Sequence, residues 1–216
     1  MAKTPVYLEI GAKRVFACAL DWPGWCRSGK TEADALEALA ASAPRYAIVA
    51  KEAGVRFATG AAEFDVVERI PGSPTTDFGA PGEAAKADVE PLTPKEAERL
   101  ARLLQASWTV LDRVVAGAPA SLRKGPRGGG RDRDEVFAHV VGAENGYSRK
   151  IGVRLPEVKP GDAKPLAALR SAMLDAIKSG VEPETKGKPW LLRYAARRIT
   201  WHVLDHAWEI EDRSER

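Results

Sequence analysis

Apolar and polar positions alternate along this chain in two different rhythms. Near the start, VYLEI and VFACAL are short runs rich in β-branched and aromatic residues, and the polar GAKR between them predicts a turn joining two strands. TEADALEALAASAPRYAIVAKEAG then carries its apolar residues at helical spacing. Thr31, with Asp34 three residues on, marks the N-cap, and Pro44 is expected to kink or split the helix. VRFAT and EFDVVERI read as two further strands, so residues 1–70 predict a small α+β unit of ββαββ order.

From residue 93 onward the period is that of a helix. In LTPKEAERL, Thr93 as N-cap, Pro94 at the first helical position and Glu96 three after the cap form a capping box. Leu100, Leu104, Trp108, Leu111 and Val115 then share one face. A second helix is expected from about Asp132 to Ile151, with Asp132 and Glu135 as a cap pair. A third spans about Lys164 to Ser179 and stops at Gly180, and a fourth runs from Pro189 to about Arg213. Residues 93–216 therefore predict an all-α four-helix bundle. Between the halves, residues 71–92 contain Pro71, Pro74, Pro81 and Pro91 with no apolar period, and read as a Pro/Gly-rich linker.

Composition narrows the function classes. Thirty-three basic against 30 acidic residues leave a net charge of +3 over 216 residues, weaker than the footprint of a nucleic-acid binder. No apolar run is long enough to span a bilayer, so no membrane role is expected. The two cysteines, Cys18 and Cys26, lack the density of a secreted scaffold. They predict reduced thiols, one packed in a strand and one in a turn, in a soluble cytoplasmic protein. One basic cluster, SLRKGPRGGGRDR, precedes the second helix of the bundle. It reads first as a connector with solvated charges; the alternative is an anion site formed by Arg127, Arg131 and backbone amides at the helix start.

The chain has three histidines, and their positions carry the candidate chemistry. On the last helix, Leu192, Ala195, Ile199, His202, His206 and Ile210 fall in one stripe, so both histidines are expected to face the core. On the second bundle helix His139 shares a stripe with Val136, Ala143 and Tyr147, while Gly142 and Gly146 remove side-chain bulk beside it. One inward histidine alone reads as a hydrogen-bonded core residue. All three in one bundle, two of them at i, i+4 spacing, predict a site in which His139, His202 and His206 bind a divalent transition metal. Zinc suits this donor set best, with nickel, iron and manganese as alternatives. Three neutral nitrogens leave a fourth position open, where water or a low-molecular-weight thiol would be activated. Asp205 and Glu209, each about one turn from a histidine, are the candidates to orient the imidazoles and move protons; Asp205 has an ion pair with Arg198 as its ordinary alternative. Trp201 and Trp208 flank the pair, either as walls for an apolar substrate or as filling between helices.

DEVFAHVVGAENGY, with His139, Glu144 and Tyr147, and WHVLDHAWEIEDR, with His202, His206, Glu209 and Ile210, resemble the two motifs of the DinB-like metalloproteins. The resemblance covers about residues 93–213. It implies a four-helix bundle whose three histidines hold a divalent metal with an open position, and it makes thiol-dependent transfer a credible chemistry. Trp208 stands where that family often has glycine. DWPGWCRSGKTEADALEAL, through Asp21, Trp22, Pro23, Gly24, Gly29 and Thr31, resembles the HicB-like antitoxin fold, which implies a sheet-and-helix domain able to dock on a partner protein. No helix-turn-helix or ribbon-helix-helix segment follows it. The expectation is a metal-dependent hydrolase or thiol-dependent transferase acting on a small molecule, with homodimer formation left open. Its alternative is a non-enzymatic interaction protein in which the N-terminal domain binds a protein partner and the bundle is a support.

Overall fold

The computed structural model describes residues 3–58, 63–125, 129–184 and 188–214. Strands β1 (Thr4–Ile10), β2 (Val15–Ala19) and β3 (Cys26–Gly29) precede helices α1 (Glu32–Ala41) and α2 (Ala43–Glu52), and β4 (Phe64–Pro71) completes the sheet. Its order is β3-β2-β1-β4, with β1 and β4 parallel and the other pairs antiparallel. Thr31 caps α1, its hydroxyl accepting from the Asp34 amide and its own amide donating to the Asp34 carboxylate. The break between α1 and α2 falls at Ser42, with Pro44 in the first turn of α2.

The observed order, βββααβ, corrects the expected ββαββ in two places. Residues 55–58 form no strand: Phe57 turns inward, its ring 4.8, 5.0 and 5.2 Å from those of Trp22, Trp25 and Tyr46. CRSG, expected as a turn, forms edge strand β3 instead, a pairing too short and polar to announce itself by alternation. That pairing also corrects the reading of the cysteines as separate reduced thiols. Cys18 and Cys26 are directly opposed on β2 and β3 and are joined as a disulfide, with Cα atoms 4.1 Å apart. No helix among the described residues is long and apolar enough to cross a membrane.

Residues 71–92 connect the two halves but are not a bare tether. Helix α3 (Pro74–Phe78) and a 3₁₀ turn (Lys86–Val89) form within them. Glu9 on β1, fully buried, accepts hydrogen bonds from the Thr76 hydroxyl and from the amides of Gly82 and Glu83. Asp88 forms a buried ion pair with Arg197, and Tyr194 donates to the Gly82 carbonyl. These contacts satisfy buried polar groups that an unfolded tether would leave stranded.

The bundle consists of α4 (Pro94–Gly117), α5 (Arg133–Lys150), α6 (Ala163–Ser179) and α7 (Leu192–Ser214). Its core joins Leu104, Trp108 and Leu111 of α4, Val136 and Val140 of α5, Leu169 and Met173 of α6, and Ile199, Val203 and Ile210 of α7. Gly180 adopts a left-handed conformation (φ 63°) and ends α6 as its position implies. Helix α7 departs from the expected single stripe. Its opposite sides carry Leu204 and Trp208 into the core beneath the sheet and Trp201 against Phe16 on the sheet's other face. The Pro23-Gly24 turn rests on α7: Gly24 has φ +85°, and a Cβ there would come within 2.7 Å of Thr200.

One buried charge cluster ties α6 to its neighbours. Arg170 donates two hydrogen bonds of 3.1 Å to Glu144, which is fully buried, and two more to Asp112 at 3.0 and 3.1 Å. Removing Arg170 would strand a carboxylate away from water. Arg170→Ala is expected to lose about 3–5 kcal/mol of stability, read from urea denaturation midpoints; a loss under about 1 kcal/mol would contradict this account of the pair.

Candidate metal centre

The start of α5 is fixed by Asp132, whose amide donates to Glu135 and whose carboxylate accepts from the Leu122 amide and Lys124 Nζ. This also sets how the helix is turned. Val136 and Val140 enter the core, and His139 between them emerges on the side facing α7. Contrary to expectation, His139 is exposed, whereas His202 and His206 are buried. Gly142 and Gly146, on the same side of α5, are exposed as well, and a Cβ at either would meet nothing within 4 Å. The glycines therefore border an open face, not an internal void.

The three imidazoles converge. Ring centroids are 5.1 Å apart for His139 and His202, 4.8 Å for His139 and His206, and 4.6 Å for His202 and His206. One nitrogen from each lies within 4.8 Å of the others, and Nε2 of His139 faces Nε2 of His202 at 3.2 Å. Two nitrogens bound tetrahedrally to zinc at about 2.0–2.1 Å lie about 3.3 Å apart, so this pair matches an edge of such a site. The donor set fits a borderline-soft divalent ion.

Glu209 supports the third ligand. Nδ1 of His206 donates to Oε2 of Glu209 at 2.7 Å, which leaves Nε2 as the lone-pair nitrogen. Oε1 accepts from Arg213 at 2.8 Å, and Arg131 approaches Oε2 at 3.9 Å. The His206 hydrogen bond holds the Glu209 carboxyl down at about 2, against burial and with help from Arg213 and Arg131. Glu209 is thus an anion that fixes a tautomer.

The other expected residues lie at varying distances from this arrangement. Asp205 pairs with Arg27 of β3 at 3.2 Å, not with Arg198 and not with a histidine, while burial pushes its carboxyl up. Arg131 stands at the centre's edge through Glu209; Arg127 lies outside the described residues. Glu144 belongs to the Arg170 cluster, because five residues from His139 on a helix means about 140° of rotation away from it. Trp208 is stacked beneath Arg27, whose guanidinium lies 4.0 Å from its ring, so it contacts the sheet and leaves the centre unobstructed. Tyr147 does reach the site, its ring edge-on to His202 at 5.4 Å. Two further residues support the centre: Arg213, whose i, i+4 spacing from Glu209 is a signal legible in the sequence, and Arg27, which nothing local in the sequence reveals.

Comparison with protein-family models, with curated proteins and with solved structures gives no match. The functional reading therefore rests on the centre itself.

Two outcomes are expected from this geometry. Glu209→Gln should weaken zinc binding by about 10- to 100-fold in competition titrations while circular dichroism is unchanged; equal affinity would show that the carboxylate does not tune the ligand. The second concerns pH. Partial desolvation at the rim, with Arg131 and His206 adding, pushes the His139 ring down to about 4, and burial pushes His202 well below its ordinary value. The unfolded chain takes up these protons below about pH 6.5 and the folded chain resists them, so metal-free stability is full above that pH and falls toward about pH 4. His202→Ala should flatten the descent in urea midpoints measured across that range, and an unchanged slope would refute the assignment.

Proposed function

We propose that this chain is a divalent-metal-dependent enzyme, a hydrolase or a thiol-dependent transferase, in which His139, His202 and His206 hold a transition ion, zinc by preference. The observation that carries the reading is the convergence of imidazole nitrogens from two helices beside an open face, with one imidazole braced by an ionised carboxylate. Three neutral ligands on such an ion would leave a position open, and the ion would supply there the acidity that lets bound water or a small thiol ionise near neutral pH. The chain's own groups have separable tasks. Glu209 keeps His206 in the ligating tautomer and returns charge to it, Arg213 holds that carboxylate in place, and burial keeps His202 neutral at physiological pH. Gly142 and Gly146 leave room for a small-molecule substrate to approach His139. The likeness of the two histidine motifs to DinB-like proteins supports thiol chemistry, and the likeness of residues 5–70 to the HicB-like fold supports a compact sheet-and-helix unit that braces α7.

The test uses protein purified without a histidine tag. About one transition-metal ion per chain is expected, lost in His202→Ala. After cobalt substitution, a thiolate-to-cobalt charge-transfer band on adding a small thiol would favour transfer, and its absence would favour hydrolysis. Negligible metal, or equal metal in wild type and His202→Ala, would overturn the proposal.

A further inference from the structure

Helix α7 bears four arginines, and three have carboxylates: Arg193 with Glu96, Arg197 with Asp88 and Arg213 with Glu209. Arg198 has none. Among the described residues it makes no ion pair or hydrogen bond, and its Nη1 is buried without a partner. Its guanidinium lies 4.7 Å from the ring centre of Trp201 and 5.6 Å from that of Tyr147. Those two rings flank His202, at centroid separations of 6.3 and 5.4 Å. Arg198 also stands one helical turn before His202, so the uncommitted cation and the ligand share a side of the helix.

A guanidinium presents five donors along its planar edge, and aromatic rings against its faces take up none of them, so the buried Nη1 of Arg198 is left without an acceptor. Keeping such a group half-buried without an acceptor is costly unless something else supplies one. The surroundings select for charge. A divalent ion on three neutral imidazoles keeps its full charge, and Arg131 adds another beside Glu209. The planar fork of one arginine matches the two oxygens of a carboxylate, whereas phosphate is usually received by several converging donors. Tyr147, with Trp190 4.9 Å from it, offers an aromatic flank for the carbon skeleton next to that carboxylate.

We propose that Arg198 is a substrate-binding residue, and that the small-molecule substrate of this centre carries a carboxylate, which Arg198 receives through paired hydrogen bonds while the reacting end faces the three histidines. The inference rests on the metal-centre reading above, and the experiment separates the two. Cobalt-substituted full-length protein is titrated with butyrate, with butyramide as a neutral control and with inorganic phosphate, following the visible cobalt spectrum and the heat of binding. Butyrate should bind and butyramide should not. Arg198→Ala should weaken butyrate by about 10- to 100-fold while cobalt uptake is retained. Arg198→Lys, which keeps stem and charge without the fork, should lose roughly three- to tenfold and serves if the alanine variant fails to fold. Equal butyrate affinity in wild type and either variant, or no butyrate binding at all, overturns the inference and leaves the metal centre standing. Tighter phosphate than butyrate overturns the carboxylate assignment. Failure to take up cobalt overturns the metal reading, and this inference with it.

Discussion

Helix α7 is held by the bundle on one side and by the sheet unit on another, and the candidate centre depends on that constraint. Ile199, Val203 and Ile210 lock it into the bundle, Leu204 and Trp208 into the core under the sheet, and Trp201 against Phe16. Polar groups fix what packing leaves free: Arg197 to Asp88, Arg27 to Asp205, and Arg45 to Glu211 and Asp212. A helix anchored in this manner neither rotates nor slides without breaking several buried contacts together. His202 and His206 are thereby fixed before any ion arrives. Only His139 comes from another helix, and it sits at the exposed rim. Such division of labour, two buried donors and one at the surface, would give an ion a prepared seat with a way in.

The N-terminal unit acquires a role from the same contacts. The Gly24 turn presses on Thr200 and Leu204, either side of His202 in sequence, and Arg27 reaches Asp205 one residue before His206. Cys18 and Cys26 join β2 to the very strand that carries Arg27. The small sheet therefore acts as a brace for the helix that holds two of the three histidines. The proline-rich stretch between the halves reinforces this, since Asp88 and Gly82 within it both contact α7.

Much of this was legible in the sequence, for reasons that are local. Caps at Thr31, Thr93 and Asp132 declare themselves because donor and acceptor stand three residues apart. The i, i+4 histidines share a face by helical geometry alone. What failed was non-local. Whether CRSG pairs with VFACA, or where Phe57 turns, depends on partners distant in the chain. A single apolar stripe on α7 suits one neighbour only, whereas the helix packs into the bundle, into the core beneath the sheet and, through Trp201, against the sheet's other face. The exposure of His139 escaped notice for a related cause, since a stripe tells which residues share a face and not where the neighbouring helix ends its cover.

The central claim is that three imidazoles share one ion and leave it an open position. X-ray absorption on the zinc-loaded, untagged protein tests it most directly. Expected is a first coordination sphere of three imidazole nitrogens and one further oxygen or nitrogen donor, at about 2.0–2.1 Å, with the outer-ring scattering of three histidines. A sphere with sulfur from the cysteines, or with only two imidazoles, would contradict it.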